Sequence, residues 1–200
     1  MPFTAAIVIV VLSYTWLVEQ HVDRRFVYVP AALVVILAAW HDLRRREWGL
    51  SWKALGPGLR LSLPITLGLA LLILAVGAAL GTLHDRRDFL GHLGGLFVWG
   101  GAQQWVLQTV VLREAQRASS RNVGIVIAAL LFGAIHMPNV FLTGMTFGGA
   151  LFWCWVYNRH PNIIPLALSH ALGTLAILYA FDDPITGRLR IGASFLQLDR

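Results

Sequence analysis

The chain has 200 residues, of which 57% are hydrophobic and 13% charged, and its mean hydropathy is +0.66. A water-soluble domain carries about 25% charged residues, so this composition excludes an ordinary soluble fold. The formal net charge of +6 does not indicate nucleic-acid binding, because the basic residues gather in the segments between apolar runs. The single cysteine, Cys154, excludes an intrachain disulfide.

Seven runs lack Asp, Glu, Lys and Arg: Pro2–Val18, Phe26–Trp40, Leu61–Leu83, Leu93–Leu112, Asn122–Ile135, Met137–Asn158 and Pro161–Phe181. A membrane-spanning helix needs ~20 apolar residues. Pro2–Val18 has no basic start of the kind that precedes a cleavable signal, so it is expected to be a retained first span. Phe26–Trp40 and Asn122–Ile135 are short and would cross by borrowing flanking residues, by tilting, or by re-entering. Trp16, Trp40 and Tyr157 lie near run ends, as in an interfacial aromatic belt. The stretch Trp48–Arg60 reads either as a short interfacial helix or as a solvated loop. Glu114 and Arg113, just past the fourth run, read as a solvated face. His21, His41, His84 and His160 read as interfacial, and His92 is too far along its helix to join Gln103. The expected fold is all-α, a polytopic transmembrane helical bundle of about seven spans, within a range of six to eight. Residues 1–200 form one integral-membrane domain on this reading, with no linker or internal repeat. If the segments around Arg44 and Arg113 lie on one side, that side holds nine Lys and Arg against seven, which favours an N-terminus inside. Gly77–Gly81 and Gly144–Gly148 are GxxxG pairs that permit close helix contact.

Polar residues inside the runs carry the functional question. Residues 132–139 read FGAIHMPN and residues 164–174 read IPLALSHALGT, each with one histidine in an uncharged run. An ionisable ring at membrane depth faces a bundle interior or a water-filled site. The preceding run contains Gln103, Gln104 and Gln108. Gln104 and Gln108 share a helix face, with Gln103 on the adjacent one. Glutamines also serve as glue between spans, so alone they do not define a site. Phe132 and His136 share a face, as do His170 and Thr174. Pro138 must stop or bend the helix that carries His136, and Asn139 can cap the next helix or point back toward the site.

This order and spacing resembles the CPBP family, the CAAX-protease and bacteriocin-processing membrane proteins related to type II CAAX prenyl endopeptidases. That family shows EExxxR, then FxxxH, then HxxxN or HxxxD on successive core helices. Phe132 and His136 match the second motif. His170 matches the third, with Thr174 where Asn or Asp is usual. Gln103 and Gln104 stand where the glutamates belong, and Gln108 where the arginine belongs. The likeness covers about 48–179, including the stretch WGLSWKALGPGLRLSL before the long helix that precedes the first motif. It implies an intramembrane endopeptidase-like site whose catalytic candidates are Gln103, Gln104, His136 and His170. Gln108, Phe132, Asn139 and Thr174 are then substrate-binding candidates.

A glutamate can take a proton from water, whereas a glutamine amide can only orient it. The loss of Arg at 108 is consistent, since a buried guanidinium without a carboxylate is costly. Three functions follow. The protein binds a membrane segment or lipidated peptide without cutting it, or it is an endopeptidase with histidine as base, or it is a histidine-dependent enzyme acting on an isoprenoid or other lipophilic substrate. Two histidines fall short of a catalytic zinc site, so no metal or cofactor is expected. The expected partners are membrane lipid and a prenylated or transmembrane peptide, with no nucleic acid. The expected location is the cytoplasmic (inner) membrane of a prokaryote.

Overall fold

A computed structural model of the chain describes residues 1–84 and 88–197. In chain order the helices are α1 (Pro2–Ser13), α2 (Tyr28–Arg45), α3 (Trp52–Leu80), α4 (Phe89–Trp105), α5 (Arg113–Ala118), α6 (Arg121–Ala134), α7 (Val140–Arg159), α8 (Ile163–Ala180), α9 (Asp183–Thr186) and α10 (Gly192–Leu196). Helical turns continue α1 to His21, and a π-helical stretch, Val106–Leu112, follows α4. Five helical stretches are long and apolar enough to cross a membrane: Pro2–His21, Arg25–Arg45, Trp52–Leu80, Val140–Arg159 and Ile163–Ala180. The protein is therefore an all-α, polytopic membrane protein. In hydrocarbon a helix satisfies its own backbone polar groups, so these apolar runs have no cheaper conformation.

The run Phe26–Trp40 does borrow its flanks, forming a 21-residue helical stretch, Arg25–Arg45. By contrast, α6 has 14 residues, or about 21 Å of helix against a core of about 30 Å. Trp48–Arg60 is neither a separate interfacial helix nor a loop. From Trp52 it forms the first turns of the 29-residue α3, which continues through Pro57 and Pro64. Leucines on α3, among them Leu67, Leu69, Leu71 and Leu72, are exposed, as expected where a spanning helix meets lipid.

The described residues form two compact units. The first holds Met1–Trp48, Val106–Cys154 and 189–197, and the second holds Gly49–Trp105 and Trp155–Arg188. In the second unit α8 packs against both α3 and α4. Asn162 organises the start of α8: its Oδ1 accepts the Ile164 N–H at 2.9 Å, and its Nδ2 donates to the Ser51 carbonyl at 3.0 Å. That one side chain caps a helix and ties it to the start of α3. Of the GxxxG glycines, Gly77 lies directly against the Ala180 backbone, whereas Gly144 and Gly148 face open space.

In the first unit α1 packs on α2, and α6 packs on α5 and the π-helical stretch. Here two sequence expectations fail. Glu114 is buried, not solvated. Its carboxylate accepts the Thr4 N–H at 2.8 Å and the Phe3 N–H at 3.4 Å, capping the otherwise unsatisfied first turn of α1. His41 is likewise buried rather than interfacial. Its Nδ1 lies 2.9 Å from Asp42 Oδ1, and the Phe3 ring stands edge-on to it. Both lie between apolar runs in sequence, and packing of α1 against α2 and α5 encloses them.

Candidate functional site

In the second unit, α4 presents Gln104 to His170 on α8. Gln104 is fully buried, and its Nε2 lies 3.2 Å from His170 Nδ1. With the amide nitrogen facing the ring, Gln104 donates and Nδ1 accepts. The neutral imidazole then carries its proton on Nε2. A glycine makes the approach possible: a Cβ at Gly100, one turn before Gln104, would stand 3.1 Å from the His170 ring. Behind this pair, Thr66 on α3 and Ser169 on α8 share a hydrogen bond of 2.7 Å between hydroxyls. Gln103 and Thr174 are half-buried in the same unit.

In the first unit, His136 sits in the turn between α6 and α7, where Pro138 forbids helix continuation. Its Nδ1 donates to the Phe132 carbonyl at 2.6 Å, and the Phe132 ring stands edge-on at 5.0 Å. A carbonyl only accepts, so the proton is on Nδ1 and the lone pair of the neutral ring is on Nε2. The two histidines thus hold opposite tautomers. Trp153 on α7 packs edge-on against the other side of Phe132. Gln108, fully buried in the π-helical stretch, is hydrogen-bonded to Cys154. Local widening of a helix such as this π-helical stretch recurs at functional sites.

Asn139 caps α7, its Oδ1 accepting the Leu142 N–H at 3.0 Å. Its Nδ2 donates to the Arg190 carbonyl at 3.1 Å, and the Gly192 N–H donates to the Met137 carbonyl at 2.9 Å. A C-terminal strap therefore holds both residues 137 and 139, immediately beyond His136. Its turn requires a glycine. Gly192 has a φ of 58°, and a Cβ there would overlap the Thr15 carbonyl.

Within single units, then, the fold joins Gln104 with His170, joins Phe132 with His136, and secures Asn139 beside His136. Sequence reading missed Gly100, Trp153, Cys154 and the strap. Only the GG pair directly before AQQW gave any signal, as small residues at a close helix contact.

These features define an integral-membrane protein with imidazole and amide groups on or beside its apolar helices. Residues 85–176 match the family model described as type II CAAX prenyl endopeptidase Rce1-like. This segment contains all three motif positions, and over it the chain is similar to the CAAX protease-like membrane proteins. The stretch from Trp48 to His84 lies outside the match. No curated protein and no solved structure matches the chain.

Proposed function

We propose that this protein is a proteolytically impaired member of its family, which binds a membrane segment or a lipidated peptide without cutting it. The contact between Gln104 and His170 carries the reading. At the position where the family's carboxylate would take a proton from water, an amide instead donates to an imidazole. The buried carboxylates among the described residues are committed elsewhere, Asp42 to His41 and Glu114 to the first turn of α1. Loss of general-base assistance removes roughly 10²–10⁴-fold in rate. The amide of Gln104 and the imidazole of His170 keep hydrogen-bonding capacity for a peptide carbonyl.

The test uses protein reconstituted in vesicles with a farnesylated CAAX peptide and, in parallel, an unprenylated transmembrane peptide. Saturable binding without turnover is expected, and His136→Ala and His170→Ala should each weaken it. Multiple turnovers by the unaltered protein would overturn the proposal.

One observation favours a second reading. The hydrogen bond from His136 Nδ1 to the Phe132 carbonyl leaves Nε2 as a proton acceptor. A water deprotonated by His136 would attack the peptide carbonyl. Turnover that disappears in both alanine variants would establish this route.

A further inference from the structure

We propose that the end of α2 forms a binding site for the headgroup of an anionic phospholipid, centred on Arg44, Arg45 and Arg46. All three arginines are exposed, and among the described residues none of them has an ion-pair partner. The acids that might neutralise them are engaged. Glu47 pairs with Arg117 at 2.9 Å and with Arg113 at 3.5 Å, and Asp42 faces His41. The local surplus of positive charge is therefore open to an external anion.

The neighbouring side chains indicate a lipid rather than an acidic protein or a free ion. The Arg44 guanidinium lies 4.6 Å from the ring centroid of Trp40, which is itself half exposed. Leu43 and Trp48 are also exposed, so large apolar groups flank the three cations. A phospholipid satisfies both at once, its phosphate meeting the guanidiniums and its acyl region covering Leu43 and the tryptophans. A soluble acidic partner or free phosphate would leave that apolar rim in water. The three arginines are consecutive at the end of one span. Arg46 ends α2 in the left-handed conformation, at φ 55° and ψ 36°, so the chain turns at the boundary of the Arg25–Arg45 span. The arginines thus sit where headgroups lie, and Trp40 sits where interfacial aromatics lie. Basic residues at such a surface contribute about 1 kcal/mol each toward anionic lipid, so three together give roughly 100-fold preference.

The experiment purifies the protein in neutral detergent and measures retention of phosphatidylglycerol against phosphatidylcholine by native mass spectrometry, with thermal unfolding read in parallel. The unaltered protein should retain phosphatidylglycerol roughly 100-fold better and be stabilised by it. The triple variant Arg44→Gln, Arg45→Gln, Arg46→Gln should lose both effects. Arg188→Gln, at an exposed ion pair with Asp183, should keep them. Equal retention of the two lipids by the unaltered protein, or unchanged preference in the triple variant, would overturn the proposal. Displacement of phosphatidylglycerol by an equal concentration of inorganic phosphate would also overturn it, showing an anion site without a lipid requirement. Should the triple variant not fold, a salt titration of the unaltered protein decides. The preference should fall as salt rises, and a salt-independent preference refutes the site.

Discussion

Gly100 offers a test of how closely α4 and α8 must approach to bring Gln104 to His170. In a helix interior, Gly→Ala ordinarily gains about 1 kcal/mol. Here the new methyl would meet His170 Cγ at 3.1 Å, Cβ at 3.3 Å and Cδ2 at 3.4 Å. The ring must yield by a few tenths of an ångström, and the 3.2 Å contact to Gln104 then lengthens. A hydrogen bond of this kind is worth about 1 kcal/mol net, so Gly100→Ala should leave stability nearly unchanged while weakening the Gln104–His170 contact. Gly100→Val adds two γ-carbons with no space to occupy. Overpacking and the lost bond together should cost about 2–3 kcal/mol. Thermal unfolding in detergent reads the stability, and ¹⁵N spectra of labelled histidine read whether His170 Nδ1 still accepts a hydrogen bond. A valine variant as stable as the unaltered protein, with an unshifted His170 signal, would show that the ring does not rest against Gly100.

Three further perturbations probe other parts of the molecule. Burial acting alone would raise the Glu114 carboxyl, but the Thr4 and Phe3 N–H groups outweigh it and hold the carboxyl below its ordinary range. The stability it contributes should be fully present above its unfolded value of about 4.3 and be lost as pH falls through the lower folded value. Melting curves of the unaltered protein and Glu114→Gln should therefore converge in acid, and a pH-independent gap would contradict this. Gly192→Val should displace the C-terminal strap and speed hydrogen exchange in the Met137–Asn139 turn, at a cost of about 1–3 kcal/mol; unchanged exchange there would mean the strap does not secure the turn. Ser62 is fully buried, and its hydroxyl has no hydrogen-bond partner among the described residues. Ser62→Ala should be neutral or stabilising in a thermal melt, and a marked loss of stability would reveal a hydrogen bond at this hydroxyl.

The span-forming runs were legible because length and apolarity alone decide whether a segment can cross a membrane. Phe26–Trp40 needed its flanks, and Pro138 marked the turn that follows α6 and holds His136. Trp48–Arg60 was less legible because Lys53 and Arg60 interrupt the hydropathy without interrupting the helix: α3 passes from Trp52 to Leu80. Glu114 and His41 were misread for a related reason. Each is polar and lies between apolar runs, which locally resembles solvent exposure, and only contacts with residues distant in sequence bury them. Motif spacing singled out His136, which lies in the turn after α6, and His170, which lies on α8. It could not reveal that Asn139 is engaged by the carbonyl of residue 190, because that depends on a strap whose short turns and positive-φ residues carry no periodic signal.

The direction of the Gln104–His170 hydrogen bond determines what this position can do. The amide nitrogen donates to Nδ1, and the imidazole proton is thereby held on Nε2. An ionised carboxylate at 104 has no proton to give. To keep the contact it would need Nδ1–H, so Gln104→Glu must move the proton of the neutral ring from Nε2 to Nδ1, or else hold the ring as imidazolium. The glutamine thus sets on its neighbour the polarity opposite to that of an ionised glutamate. Histidine ¹⁵N spectra of Gln104→Glu, recorded where the new carboxyl is ionised, should show Nδ1 changing from acceptor to protonated nitrogen. Gln104→Ala should release the constraint and give a mixture of tautomers. If His170 keeps its original tautomer in the glutamate variant, the amide does not set the ring.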